Sequence, residues 1–172
     1  MPNILEQTAA KAAGKMGAIK AAISGLDGVF RQLAEEHKEV ATLFARATVS
    51  SDAEKRAEIW SAIRQQLTAH ENAELEIVYP EFEMHASLMD IVREHEADAD
   101  HLEALIANVD AAPITGPQWE SAIKELQAVV LRHALREEKE YFPRAQEVIG
   151  ERRVEELEEL YIASKETLLQ SM

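Results

Sequence analysis

Two histidine–glutamate pairs are the residues in this sequence whose types and spacing suggest chemistry. His70 precedes Glu74 by four residues, and His133 precedes Glu137 by the same interval. Side chains four residues apart lie on one face of an α-helix, so each pair can direct an imidazole and a carboxylate to the same point. Each glutamate is followed, five residues later, by an aromatic residue and a proline. Two occurrences with identical internal spacing argue against coincidence.

Four rows of apolar residues predict the helices that position these pairs. In each row, inward positions recur at steps of three or four residues, as on one face of an amphipathic helix. Each row also contains one histidine. The rows are Phe30, Leu33, His37, Val40 and Phe44; Trp60, Ile63, Leu67, His70, Glu74 and Ile77; Leu88, Ile91 or Val92, His95, Ala99, Leu102 and Ile106; and Trp119, Ile123, Leu126, Val130, His133, Glu137 and Tyr141.

Helix boundaries follow from capping and helix-breaking residues. We predict helices over about 29–47, from the Ser50–Asp52 cap to Pro80, over about 86–109, from Pro117 to near Pro143 with a short continuation to Gly150, and over 151–169. The two helices that carry the histidine–glutamate pairs are expected to end at their prolines, because proline disfavours helix at the residue before it.

Four long helices joined by short loops predict an all-α, up-down-up-down four-helix bundle. An N-terminal accessory helix is expected in residues 1–27, and the bundle domain with a short C-terminal helix in residues 28–172. A length of 172 residues suits a single domain with a sizeable core.

The two halves of the bundle repeat one arrangement, a helix with one inward histidine followed by a helix with a histidine–glutamate pair. Antiparallel packing of the halves would bring six polar residues to one level of the core. A single buried histidine is more often a hydrogen-bonded core residue than a ligand. Four histidines and two glutamates buried together are costly unless they are hydrogen-bonded, paired or bound to metal. Because lysine and arginine fall outside these rows, metal cations are the expected partners.

The residue types constrain the metal. The chain has no cysteine, so the ligands must be nitrogen and oxygen atoms. Imidazole with carboxylate suits iron, manganese or zinc, and six protein ligands exceed the needs of one tetrahedral zinc. Two octahedral ions offer about twelve positions, of which four histidines, two bridging glutamates and a bridging oxo or hydroxo group would fill about ten. A two-metal site with room for a small exogenous ligand is therefore predicted.

Several nearby residues are weaker candidates. His85 and His101 are predicted to lie at the surface. Glu71 would be an extra ligand in an irregular site, although solvent exposure is expected for it and for Glu138. Tyr141 lies in an inward row and could approach the metals.

The motifs resemble those of the hemerythrin-like HHE cation-binding family. The matching stretches are Glu36-His37-Lys38-Glu39-Val40, His70-x3-Glu74 with Tyr79-Pro80, Glu94-His95, and His133-x3-Glu137 with Phe142-Pro143. The resemblance covers roughly residues 28–165 and implies a four-helix bundle with a non-haem di-iron centre. It further implies that the two glutamates bridge the irons and that the ligands are His37, His70, Glu74, His95, His133 and Glu137.

The chain departs from the oxygen-carrying hemerythrins at two places. Those proteins have two ligand histidines four residues apart on the third helix, whereas Ile91 and Ala99 flank His95 here at that spacing. They also end with His-x4-Asp, where this chain has His133-x3-Glu137. Because its ligand set is poorer in histidine, this chain is less suited to reversible oxygen transport than to redox turnover with peroxide or nitric oxide, or to iron or oxygen sensing.

The net charge of −14 argues against a nucleic-acid partner and against anionic membranes. No apolar run approaches a membrane span, and the N-terminus lacks the features of a secretory signal. A cytoplasmic monomer or homodimer is expected.

Three functions remain open on sequence alone. The first is binding or sensing of oxygen, nitric oxide or peroxide at two iron ions. The second is a di-iron redox enzyme that decomposes peroxide or nitric oxide. The third is a helical interaction module without metal, whose polar core is only hydrogen-bonded.

Overall fold

The structure, a computed structural model, describes residues 25–172, and these residues contain helices and turns but no strand. The seven α-helices of this part are α1 Gly28–Val49, α2 Ala53–Ala73, α3 Tyr79–Glu83, α4 Met89–Ala111, α5 Pro117–Arg136, α6 Phe142–Ile149 and α7 Glu151–Ser171. A 3₁₀ turn at Ala86–Leu88 precedes α4. The all-α class is confirmed. The accessory helix predicted in residues 1–27 lies almost entirely outside the described residues.

The long helices pack as an antiparallel bundle. Helix α1 packs against α2 and α5, and α4 packs against α5. Helix α7 lies along both α1 and α2, and it extends two residues beyond the predicted end. The side chain of Asp52 caps α2 by accepting a hydrogen bond of 2.8 Å from the backbone N–H of Lys55. The fifth long helix therefore covers the side of the bundle formed by α1 and α2.

The prediction that helices end at Pro80 and near Pro143 is wrong, because the chain stays helical through both prolines. A π-helical segment, Glu74–Val78, joins α2 to α3, and a second one, Glu137–Tyr141, joins α5 to α6. Each proline then falls in the first turn of the next helix, where the missing N–H costs no hydrogen bond. The predicted continuation towards Gly150 is confirmed.

The π segments begin at the two glutamates of the repeated motif. The backbone N–H of Tyr79 donates to the carbonyl of Glu74, and that of Phe142 donates to the carbonyl of Glu137. Both bonds span five residues instead of four, which widens the helix locally. Single π turns inside α-helices are frequent at functional sites.

The apolar core consists of two clusters. One lies around Phe30, Phe82 and Phe142, with the rings of Phe30 and Phe142 stacked at 5.0 Å. The other lies around Phe44, Trp60, Trp119 and further apolar side chains of α1, α2, α4 and α5. Along α1, α2 and α4 the histidine separates residues of the first cluster from residues of the second, and beyond His133 of α5 the first cluster resumes in the second π segment and α6. The polar residues thus occupy one level of the core, as predicted, and this layer lies between two apolar clusters.

Within residues 25–172, no helix combines the length and apolarity required to cross a membrane.

Candidate metal centre

One half of the polar layer is built by α1, α2 and the two π segments. The Nε2 atoms of His37 and His70 lie 3.2 Å apart. Nε2 of His37 is 3.3 Å from Oε2 of Glu137, and Nε2 of His70 is 3.4 Å from Oε2 of Glu74. Both glutamate side chains are fully buried. Two imidazole nitrogens and two carboxylates therefore converge at this level of the core.

The other half is built by α4 and α5, together with the last turn of α2. Nε2 of His133 is 3.2 Å from Oε1 of Glu137, and the rings of His95 and His133 are 5.8 Å apart. Nε2 of His95 lies 2.9 Å from Oε1 of Glu71. Glu71, His95 and His133 each place one ligand atom within 4.8 Å of the others. All six predicted residues are thus brought together, with Glu71 as a seventh.

The expected solvent exposure of Glu71 and Glu138 is wrong. The side chain of Glu71 is 15% exposed and is directed at His95, while Glu138 is buried against His37. Each glutamate directly follows a predicted ligand, and that adjacency was the signal available in the sequence.

Within the described residues 25–172, several of the converging atoms lack a hydrogen-bond partner. These are both carboxylate oxygens of Glu74, both ring nitrogens of His95, Oε2 of Glu137 and Oε1 of Glu71. The atoms approach one another closely, but their orientations do not align a donor with an acceptor. Leaving such atoms buried and unpaired costs about 1–3 kcal/mol for each group. A cation held between them would satisfy the carboxylate oxygens and the ring nitrogens that face them, so this donor set fits a metal.

The charges of the two central glutamates differ. Burial, and then the negative charges of Glu137 and Glu71, raise the pKa of Glu74 well above its usual value. Burial also acts to raise the pKa of Glu137, but the charge of His133 and the contacts with His133 and His37 hold it well below the usual value. Without metal, the layer therefore combines one carboxylate that favours its proton with one that is ionised.

Two histidines hold protons unusually tightly in the chain without metal. Burial acts to lower the pKa of His37, but its contacts with Glu137 and Glu138 raise it to about 9. The pKa of His133 also rises to about 9, since the charge and contact of Glu137 outweigh burial. Imidazole must lose its proton to bind a metal, so protons and cations compete for this layer.

Carboxylates also contact the outer ring nitrogen, Nδ1, of three histidines. Nδ1 of His37 is 2.8 Å from Glu138, and Nδ1 of His70 is 2.8 Å from Glu36. Nδ1 of His133 is 3.3 Å from Asp98. When the imidazole is neutral, a carboxylate at Nδ1 keeps the proton on that nitrogen and so directs the lone pair of Nε2 towards a metal.

Glu36 contacts two residues of α7, which helical spacing alone does not predict. Tyr161 and Lys165 of α7 contact its carboxylate, and the side chains of Glu36 and Lys165 are 8% and 10% exposed. A lysine therefore does reach the polar layer, but it pairs with Glu36. The ion pairs of Glu74 and Glu137 in the described chain are with histidines.

The remaining candidates lie away from the centre. His101 is exposed, as predicted. The side chain of His85 is partly exposed, and its Nε2 is 3.8 Å from Oε1 of Glu81. The hydroxyl of Tyr141 donates to Glu94 and does not approach the layer.

The tyrosine that lies beside the centre is Tyr79, and not Tyr141. Its hydroxyl donates a long hydrogen bond of 3.4 Å to Oε1 of Glu137. Its ring stacks on His95 with 3.7 Å between centroids.

A cavity of about 90 Å³ adjoins the layer. It contacts His37, His70, Glu71 and His133 on one side, and its other walls are largely apolar. The apolar wall consists of Val40, Leu67, Ala99, Leu102, Val129, Val130 and Ala134. The exposed residues His101 and Arg132 also line it, so the cavity reaches the surface between α4 and α5. Three further charged residues complete the lining, Glu36, Asp98 and Arg136. A cavity needs roughly 10–15 Å³ to hold one water molecule, so this one has room for several small molecules.

The helical bundle and its histidine–carboxylate layer define a cation-binding class of protein. Residues 29–145 match the family model of the hemerythrin HHE cation binding domain. The chain belongs to this family, and its fold and candidate site agree with that membership.

A more distant similarity joins this chain to a curated protein of Nostoc sp. that is described as a DNA nickase. The two are 23% identical over 137 residues, which cover 80% of this chain and 39% of the relative. The chain thus spans about two fifths of that protein's length. No solved structure matches the chain. The absence of a nucleic-acid partner stays a prediction, which these comparisons do not test.

Proposed function

We propose that this chain holds two iron ions in a non-haem centre and uses them to bind or sense oxygen, nitric oxide or peroxide. The observation that carries the proposal is a set of buried carboxylate oxygens and ring nitrogens, in one layer of the bundle, that lack a hydrogen-bond partner in the described residues. Family membership supports a cation as their partner. Neither a purely apolar core nor a hydrogen-bonded polar core would need Glu74 and His95 to be buried without partners.

The proposed ligands divide into two groups. His37 and His70 would hold one ion, and His95, His133 and Glu71 would hold the other. Glu137 contacts a histidine of each group, which suits it to bridge the ions. Glu74 contacts His70 of the first group and is close enough to Glu71 of the second for that charge to raise its pKa, so we propose it as the second bridge. Bound iron would supply Lewis acidity and a redox pair. The proposed ligand set is His37, His70, Glu71, Glu74, His95, His133 and Glu137.

The cavity determines which small ligands fit. Because most of its wall is apolar, it admits neutral molecules such as oxygen, nitric oxide and hydrogen peroxide. It meets the polar layer at His37, His70 and His133, so a ligand that enters it would reach both proposed metal positions.

Glu71 favours a second candidate function, the decomposition of peroxide or nitric oxide. With this residue the proposed set has three carboxylates and four histidines. Hard, anionic oxygen ligands favour the more highly charged state of iron, which suits turnover better than reversible oxygen carriage. In this case, too, the protein residues hold the ions, exclude bulk water and admit the substrate through the cavity.

Metal analysis of wild type and His70→Ala, together with absorption spectra, tests the centre. We expect two irons per chain in the wild type and fewer in the variant. His101→Ala is the matched control, since it removes an exposed histidine that lines the cavity mouth. Unchanged iron content in His70→Ala would overturn the assignment. Wild type without stoichiometric metal would instead favour the metal-free interaction module.

A second measurement separates binding from turnover. The reduced protein is exposed to oxygen and to nitric oxide, and its spectrum is followed through removal of the gas. Reversible change supports binding or sensing, whereas steady consumption of peroxide or nitric oxide above that of free iron supports the enzyme. A spectrum that responds to none of these molecules would exclude both functions.

A further inference from the structure

Helix α7 contributes to the polar layer although it lies outside the residues that match the family model. The match ends at residue 145, and α7 begins at Glu151. Its inward side chains include Tyr161, which is fully buried, and Lys165, whose side chain is 10% exposed. Both contact Glu36, the residue before His37.

Three groups converge on one oxygen of Glu36. Its Oε2 accepts a hydrogen bond of 2.7 Å from the hydroxyl of Tyr161, lies 2.5 Å from Nζ of Lys165 and lies 2.8 Å from Nδ1 of His70. Its Oε1 accepts a hydrogen bond of 2.9 Å from Gln32. The carboxylate is thereby held in one orientation, and the positive charge of Lys165 compensates its burial.

The four histidines differ in what holds their outer nitrogens. His37 and His70 each have a buried carboxylate 2.8 Å from Nδ1. Among residues 25–172, Nδ1 of His95 has no hydrogen-bond partner. The partner of Nδ1 of His133 in the described part of the chain is Asp98, at 3.3 Å, whose side chain is 43% exposed.

This difference affects how readily each pair binds a cation. An N–H donated from Nδ1 to a carboxylate fixes the orientation of the ring and makes Nε2 a stronger ligand. The ring of His95 is positioned by stacking on Tyr79, which does not select a tautomer. The pair His37 and His70 is therefore preorganised, whereas the pair His95 and His133 must adjust when a cation binds.

We infer that the two cation positions are unequal: the His37–His70 position binds first and tightly, and the His95–His133 position binds second and exchanges its ion. Tyr161 and Lys165 are positioning residues that strengthen the first position through Glu36 and His70. This inference rests on the proposed two-ion centre and adds to it an order of binding and a role for α7.

The test is an anaerobic titration of the metal-free full chain with ferrous iron in the presence of a competing chelator. We expect two steps whose dissociation constants differ by about 10- to 100-fold, the range over which such outer contacts alter metal affinity. Tyr161→Phe and Lys165→Met should each weaken the first step by about tenfold and leave the second unchanged. Tyr141→Phe is the matched control, because it removes the hydroxyl of a buried tyrosine that donates to Glu94 and contacts no imidazole in the described residues.

Nitrogen-15 NMR of the histidine rings gives a readout that does not need metal. In the metal-free wild type, His70 should carry its proton on Nδ1. Glu36→Leu removes the carboxylate acceptor and leaves the hydroxyl of Tyr161, 3.1 Å from Nδ1 of His70, free to donate to that nitrogen. His70 should then shift towards the tautomer with its proton on Nε2, while circular dichroism confirms that the variant is folded. A change in packing alone would not select one ring nitrogen. A His70 tautomer that is the same in both proteins would overturn the positioning role.

The outcomes distinguish this inference from the function on which it rests. A wild type that binds no iron would overturn both. The inequality would be overturned if the two irons bound with equal affinity. It would also be overturned if Tyr161→Phe had the same dissociation constants as Tyr141→Phe. Either result would leave the two-ion centre intact.

Discussion

Oε1 of Glu71 lies 2.9 Å from Nε2 of His95, yet the two groups form no hydrogen bond. The ring nitrogen and the carboxylate oxygen are close, but neither is aligned to donate to or accept from the other. Such an approach is expected of two lone pairs directed at a common third atom. With His133 they form a group of three possible ligands, a feature that the helical spacing alone did not predict.

Glu71→Gln should selectively remove the cation held by His95 and His133. The amide keeps the shape of the side chain but loses the negative charge that a divalent ion needs, so about one iron per chain should be lost. Metal analysis after gel filtration measures this loss. Glu39→Gln, an exposed substitution on α1, is the matched control. If Glu71→Gln keeps its full iron content, Glu71 is not a ligand.

The metal-free protein should lose stability as pH rises from 6.5 to about 9. In this window the folded chain keeps the protons of His37 and His133, whereas the unfolded chain releases them. The folded state then binds more protons, so the free energy of unfolding falls with pH, by up to about 1.4 kcal/mol per pH unit for each proton retained. Urea unfolding with a chelator present, at several pH values, measures the slope.

Bound metal should abolish that slope, because the histidines are then neutral in the folded state. Repeating the urea series with zinc, which has no redox chemistry, isolates this effect. His101→Gln should keep the slope of the metal-free wild type, since it changes an exposed ring. A metal-free profile that is flat between these pH values would contradict the proposed protonation of the layer.

Glu74→Gln should change stability in opposite directions with and without metal. The raised pKa of Glu74 means that the folded state keeps a proton that the unfolded chain loses above 4.5, so this residue destabilises the metal-free fold increasingly as pH rises. At neutral pH the amide should therefore stabilise the metal-free chain by about 1–3 kcal/mol. In the loaded protein a ligand is lost and the melting temperature should fall.

Thermal melts of both forms measure this reversal. Glu138→Gln tests whether it is specific to Glu74, because that carboxylate is equally buried but contacts Nδ1 of His37 on its outer side. If Glu74→Gln destabilises the metal-free chain as well, the carboxylate has a structural partner and is not held ready for a cation.

Helical spacing was sufficient to predict the polar layer but not its outer contacts. Residues three or four apart lie on the same face of a helix, so the inward histidines could be assigned before the helices were placed. Glu71 lies one residue after His70, about 100° further round the helix. Whether such a residue reaches the centre depends on how closely the neighbouring helix approaches, and this distance is not encoded in the spacing.

Helical spacing also failed to predict the course of the chain at the two prolines and the contacts of α7. Proline was interpreted as a helix end, whereas a preceding π turn allows the helix to continue past Pro80 and Pro143. In α7 the available signal was Lys165, which lies four residues after Tyr161 on the same face. Its partner, Glu36, is more than a hundred residues away in sequence, and only the packing of α7 on α1 and α2 brings the two together.

Ala99→Phe should slow the reaction with small ligands without removing the metal. Ala99 lines the cavity, and it follows His95 by four residues on the same face of α4. A benzyl group there would fill much of the space of about 90 Å³ between the surface and the polar layer. We expect the rate of nitric oxide binding to the reduced protein to fall by at least about tenfold, which corresponds to about 1.4 kcal/mol in the barrier. Stopped-flow absorption at several gas concentrations gives this rate.

The matched control for this substitution is Ala45→Phe, which adds the same group at an exposed position of α1. Both variants should keep the iron content of the wild type, because neither changes a proposed ligand. If Ala99→Phe binds nitric oxide at the wild-type rate, the ligand reaches the centre by another path. If it loses iron, the cavity wall supports the ligands themselves, and the substitution no longer separates access from binding. A smaller change, Ala99→Val, then tests access alone, since it narrows the cavity by two methyl groups and leaves room for the helices to keep their positions.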